Sequence, residues 1–137
     1  MMEPDKGQPV VSAVKGEFPP CAGRATGELC GMFLGWTTVA RREDADRLAA
    51  AAIARGLAIC VQVEGPIASH YRWGGKDMRE EEFRLCFKFL GPQTAELERW
   101  LQESHPYETP EWVVVMAHHV GEKYLSWARS NPTHSTL

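Results

Sequence analysis

Leu-Ala-Ile-Cys-Val-Gln-Val-Glu-Gly-Pro-Ile-Ala-Ser-His-Tyr-Arg-Trp-Gly-Gly-Lys-Asp-Met-Arg-Glu-Glu-Glu-Phe-Arg-Leu-Cys-Phe-Lys-Phe-Leu, residues 57–90, is the stretch that decides the fold. Leu57 to Glu64 is a strand run, interrupted at Gly65-Pro66, which reads as a bulge or bend. Ile67 to Trp73 resumes it, with Ile67, Tyr71 and Trp73 on one face. Gly74-Gly75 supplies the positive φ values that a tight hairpin needs. On the return, Phe83, Leu85, Phe87 and Phe89 alternate with Arg84, Cys86 and Lys88. Strands usually run to about five or six residues. Arms of more than about ten predict a hairpin whose distal end projects beyond the domain.

Outward from the hairpin, each flank adds a helix and a strand. Met32, Leu34 and Trp36 alternate with Phe33, Gly35 and Thr37, both sets mostly apolar, as in a strand buried on both faces. Ala45, Leu48, Ala49, Ala52 and Ile53 then form one helical stripe, with Glu43 and Asp44 in the first turn and Gly56 at the end. After Gly91-Pro92 a second helix presents Leu97, Trp100, Leu101 and Ser104, and His105-Pro106 stops it. Val113 to Val115 make a fourth strand, and a short final helix carries Tyr124, Leu125 and Trp127. The order strand, helix, strand, strand, helix, strand, helix is the α+β split βαβ plan: a ferredoxin-like βαββαβ sandwich with an extra C-terminal helix. The expected organisation is a tail over residues 1–28, with Val10, Val11, Ala13 and Val14 as a brief strand, a domain over 29–131, and a C-terminal tail over 132–137.

Composition narrows the function. A chain of 137 residues with 44% hydrophobic and 24% charged residues suits one globular domain. A net charge of −3 without any Lys/Arg-rich run disfavours a nucleic-acid partner. No apolar run approaches the ~20 residues of a membrane-spanning helix, and the start Met1-Met2-Glu3-Pro4 lacks the features of a secretory signal. A cytoplasmic protein is expected. Cys21, Cys30, Cys60 and Cys86 match no paired zinc spacing and are expected as free thiols, Cys60 and Cys86 as small buried hydrophobes.

Four motifs, in order, carry a family resemblance: Leu57-Ala58-Ile59-Cys60-Val61; Tyr71-Arg72-Trp73-Gly74-Gly75-Lys76; His105-Pro106-Tyr107-Glu108-Thr109-Pro110-Glu111; and Tyr124-Leu125-Ser126-Trp127. From about Met32 to Ala128 the chain resembles the CutA family of divalent cation tolerance proteins. That resemblance implies a homotrimer of ferredoxin-like subunits, similar in architecture to the nitrogen-regulatory PII proteins, with hairpins and edge strands paired across subunits and a ligand at the subunit crevices. The chain departs from the family at Val39-Ala40-Arg41-Arg42, at Arg72, at Met116, and at Thr37, where some members have a cysteine proposed as a copper ligand.

The ligand inventory is thin on its own merits. His118 and His119 are adjacent on an extended segment and point to opposite faces, which suits a solvated pair better than a chelate. His134 lies in a polar tail. His105 is the better metal candidate, against a structural hydrogen bond as the alternative, with His70, Glu111 or a cysteine completing a copper or zinc site across subunits. Trp73, Lys76, Tyr107, Cys60 and Tyr124 are expected to line the crevice, although Trp73, Tyr107 and Trp127 are equally read as packing. Lys76 after two glycines offers an anion site, or simply a hairpin turn with a solvated lysine. No catalytic motif is found, and Glu80-Glu81-Glu82 is expected to be solvated on alternate sides of a strand. Taken with what the resemblance implies, the expected function is non-enzymatic: trimeric binding of a divalent metal, copper foremost, with no obligatory cofactor. The alternative is a PII-like signalling or scaffold trimer that binds a small anionic metabolite and contacts a protein.

Overall fold

The computed structural model describes residues 31–131. The two tails, Cys21, Cys30, His134 and the brief strand expected at Val10 to Val14 lie outside the described residues. The elements are β1 (Met32–Val39), α1 (Arg42–Ala54), β2 (Cys60–Trp73), β3 (Lys76–Leu90), a 3-10 turn at Gly91–Gln93, α2 (Thr94–Ser104), β4 (Val113–Met116) and α3 (Glu122–Ser130). They form one sheet in the order β2-β3-β1-β4, every pair antiparallel. β1 and β2 run parallel but are separated by β3, which is the split βαβ arrangement read from the sequence. Among the described residues no helix is long and apolar enough to cross a membrane.

Alternation along the strands decides where the core sits. Phe33 and Val39 of β1, Leu85, Phe87 and Phe89 of β3, and Val61 and Val63 of β2 pack with Leu48 and Ala52 of α1 and Leu97 and Leu101 of α2. This is the helix-covered face. The opposite face is set by the same pleat: Leu34, Trp36, Val113, Val115, Cys86, Lys88 and Cys60 point away from α1 and α2. Val113 and Val115 remain 52% and 42% exposed there. Met32 and Ile59 meet Ala128 of α3 in a smaller cluster.

Three local expectations are corrected. Ile53 is 43% exposed, so the buried stripe of α1 is Ala45, Leu48 and Ala52. The second strand begins at Cys60, not Leu57. Gly56, at φ 70°, closes α1 with its N–H on the Ile53 carbonyl while the Leu57 N–H reaches the Ala52 carbonyl, so Leu57 to Ile59 pack as a buried connection. Glu82, expected in water, is fully buried. The hairpin is as expected: Gly74 and Gly75 have φ of 54° and 80°, and the register shifts between Glu64 and Ile67, around Gly65-Pro66. With fourteen and fifteen residues, β2 and β3 outrun β1, whose last pair is Val39 with Phe83.

Candidate functional site

Where β1 ends and α2 stops, β1, β3 and the turn after α2 bring polar side chains into the protein. Pro106 ends α2 at His105, whose backbone N–H still caps the Leu101 carbonyl. The imidazole turns inward beside β1. The Tyr107 N–H donates to its Nδ1 at 3.0 Å, so Nδ1 carries no proton and Nε2 does. Nε2 then donates to the Thr38 carbonyl at 3.0 Å, with the Thr37 hydroxyl 2.9 Å away. The Tyr107 ring lies 4.9 Å from the imidazole, and its hydroxyl donates to Glu82 Oε2 at 2.7 Å. Thr37, Thr38, Glu82, His105 and Tyr107 are all buried.

Within the chain His105 takes the structural hydrogen-bonding role that was read as the alternative to a metal ligand. Both ring nitrogens are engaged within the chain, and Nδ1 would have to surrender the Tyr107 N–H to bind an ion. Its role here is to fix the turn that delivers Tyr107 to Glu82. His70, paired across the hairpin with Arg79, is exposed, and Glu111 is half-buried just before β4. His105, His70 and Glu111 are not gathered: among the described residues no group of three or more His, Cys, Asp or Glu side chains is placed to hold a metal.

The expected crevice residues are likewise spread along the molecule. Trp73 and Lys76 face each other at the hairpin tip, with Lys76 exposed. Cys60 starts β2, thirteen residues away, which at about 3.3 Å per residue is ~40 Å. Tyr124 sits near Cys60, not near Trp73: the Lys88 ammonium, opposite Cys60, lies 5.4 Å from its ring. Tyr107 lies between these ends. His118 and His119 are exposed.

Sequence reasoning missed Glu82. The signal was present in the third position of Glu80-Glu81-Glu82, next to the apolar run that starts at Phe83, but nothing local shows that Tyr107, from beyond α2, reaches its carboxylate. Glu80 shares its strand face, and its Oε2 is buried without a hydrogen-bond partner among the described residues.

The CutA1 divalent ion tolerance protein family model matches residues 33–131. The chain belongs to this family. It is 34% identical over 87 residues to the divalent-cation tolerance protein CutA of Yersinia pestis (strain Pestoides F), covering 64% of this chain and 73% of that protein. The structure of CutA from Synechococcus elongatus PCC7942 superposes with a TM-score of 0.70 at 41% identity, over 75% of this chain and 91% of the other. The divalent cation tolerance protein from Thermus thermophilus superposes with a TM-score of 0.69 at 30% identity, over 73% and 97%. The resemblance read from the four motifs is thus shown. In this chain His105 and Tyr107 form a buried clamp that joins α2, β1 and β3.

Proposed function

We propose that this CutA-family chain is a non-enzymatic homotrimer of the cytoplasm, PII-like in assembly, that binds a divalent cation, copper or zinc, where subunits meet. The observation that carries the reading is the character of the buried polar groups. Among the described residues they are a carboxylate, an imidazole and two threonines, with the Tyr107 phenol beside them and no buried Lys or Arg. Acceptor oxygens kept out of water favour a cation over an anion. Glu82 and Glu80, two apart on β3, supply the donors, and His105 holds Tyr107 against them. Among the described residues neither carboxylate belongs to a three-ligand group, so a second copy completes the shell.

Assembly has independent support. Tyr124 and Trp127 of α3, with rings 5.4 Å apart, are 37% and 47% exposed, and Val113 and Val115 are exposed on the sheet face that α1 and α2 leave open. The long outer edge of β2 also lacks a strand partner among the described residues. Native proteins cover such faces and edges, and closed symmetry does so without leaving a new one. The anionic alternative rests on Lys76, which stands in solvent beside the Arg72–Asp77 ion pair at 2.8 Å, so a carboxylate neighbours the cation meant to attract an anion.

The test is calorimetric titration of Cu²⁺ and Zn²⁺ into tag-free protein and its Glu82→Gln variant, with native mass spectrometry of both. The expected result is a trimer whose divalent-ion affinity falls at least about tenfold in the variant. Unchanged affinity would remove Glu82 from the site, and a monomer would overturn the assembly.

A further inference from the structure

The clamp that reaches Glu82 ends, on its far side, on a hydroxyl to which the divalent reading gives no role. β4 pairs with β1 only as far as Trp36, opposite Val113, and the imidazole of His105 meets the two β1 residues that follow. Thr37 shares a strand face with Phe33 and Val39, which pack in the helix-covered core, and is itself fully buried. Its β-branched side chain has few rotamers open to it, so the backbone sets the direction of the hydroxyl. That hydroxyl lies 2.9 Å from His105 Nε2, beside the Thr38 carbonyl at 3.0 Å.

The tautomer decides what these contacts are. The Tyr107 N–H donates to Nδ1 at 3.0 Å, so the ring proton sits on Nε2 and is shared by two oxygens, the Thr38 carbonyl and the Thr37 hydroxyl. With the proton on Nδ1 instead, two N–H donors would face each other across 3.0 Å and the Thr38 carbonyl would face a bare lone pair. One acceptor fixes the direction of the Nε2–H but lets the ring swing about it, whereas two acceptors on successive residues also hold its plane. The plane matters because Nδ1 must stay in line with the Tyr107 N–H, and the phenol of that same residue donates to Glu82 Oε2 at 2.7 Å.

We propose that Thr37 is a positioning residue of the divalent site: its hydroxyl, acting through His105 and Tyr107, sets where the Glu82 carboxylate points. This role rests on the divalent reading of Glu82, and Thr37 itself touches no ion. A methyl in place of the hydroxyl removes one acceptor and puts carbon 2.9 Å from Nε2, inside the about 3.5–4.0 Å of an unstrained carbon contact, so the ring tilts away. The Tyr107 N–H then falls out of line with Nδ1, and the phenol shifts against Glu82. Outer-shell groups that orient a ligand typically cost about 10- to 100-fold in metal affinity when replaced, and Thr37, several contacts from the ion, belongs at the lower end of that range.

The experiment titrates Zn²⁺ alone into the full chain and into its Thr37→Val, Thr37→Ser, Glu82→Gln and Thr37→Val/Glu82→Gln variants, with nitrogen NMR spectra of the His105 ring recorded without metal. The wild-type ring should show one bare and one protonated nitrogen. In Thr37→Val the two signals should move toward a common, tautomer-averaged value and zinc affinity should fall about tenfold. Thr37→Ser, which keeps the hydroxyl, should restore both. In the double variant the Thr37 substitution should add no further loss, because no carboxylate is left to orient. Urea unfolding is the folding control, and Thr37→Ala replaces Thr37→Val should the latter not fold. A loss in Glu82→Gln without one in Thr37→Val would overturn the role of Thr37 and leave the divalent site standing, whereas no loss in Glu82→Gln would overturn both. Equal losses from Thr37→Val with and without Glu82, or lost affinity beside an unchanged His105 spectrum, would also overturn the role of Thr37.

Discussion

Gly35→Ala should destabilise this protein, although strand propensity alone predicts the opposite. Glycine inside a strand costs about 0.5–1 kcal/mol relative to alanine, so the substitution would ordinarily help. Gly35 sits in the middle of β1, between Phe87 and Val114, on the helix-covered face. A Cβ there would lie 2.4 Å from Trp112 Cη2, 2.8 Å from Cζ2 and 2.9 Å from Cζ3. An ordinary contact begins at about 3.4 Å, so the indole must retreat by about 1 Å. Trp112 is held on both sides, edge-on to Phe87 with centroids 5.6 Å apart and stacked on Phe89 at 6.3 Å. Each such aromatic pair contributes about 0.5–1.5 kcal/mol, and forcing an extra methyl into a packed core costs about 1–3 kcal/mol. Net of the propensity gain, the expected loss is about 2–3 kcal/mol. Urea unfolding at fixed protein concentration reads it directly, and in a melt it corresponds to roughly 10–20 °C for a domain of this size. The double variant Gly35→Ala/Trp112→Leu should recover part of the loss, giving a coupling energy above about 0.5 kcal/mol. A neutral or stabilised Gly35→Ala, or strictly additive energies, would refute the packing argument.

Tyr107→Phe removes the hydroxyl 2.7 Å from the buried Glu82 and should cost about 1.5–3 kcal/mol in urea unfolding; a loss under about 0.5 kcal/mol would mean that water replaces the phenol at little cost. The Cys86 thiol is held above its ordinary pKa, first by burial, with the nearby Cys60 adding to the rise and Lys88 and Arg84 opposing it. Because the folded state holds that proton more tightly than the unfolded chain, stability should decline as pH rises from the unfolded pKa through the raised folded one, and alkylation of Cys86 should reach half-rate at a higher pH than for a free thiol. An alkylation profile matching free cysteine refutes the assignment. Val115→Asp places a carboxylate on the open sheet face and should reduce the proposed trimer to smaller species in sedimentation velocity, while an unchanged assembly would move the interface elsewhere.

Much of the fold is local and was therefore legible. Period-two alternation from Phe83 to Phe89, the paired glycines at 74 and 75, and the breaks at Gly91-Pro92 and His105-Pro106 each act through a few neighbouring residues. Helix α2 presents the buried Leu97, Trp100 and Leu101 as its stripe foretold. Ile53 misled because a 3.6-residue period marks which way a side chain leans but not how far the covering surface extends.

The candidate site was legible only in part. The His105-Pro106-Tyr107 motif is visible in the chain, but nothing near it shows that Tyr107 reaches Glu82, 25 positions earlier, or that the imidazole closes on Thr37 and Thr38, 68 and 67 positions away. Those meetings depend on β1 ending at Val39 while β3 continues, so that the turn after α2 can cross the end of one strand to reach the next. Sequence by itself determined the elements, their order and the family, because these rest on short-range patterns. Tertiary structure alone decided which acid is buried and which groups engage the histidine nitrogens, because burial and hydrogen bonding are properties of what packs against a residue.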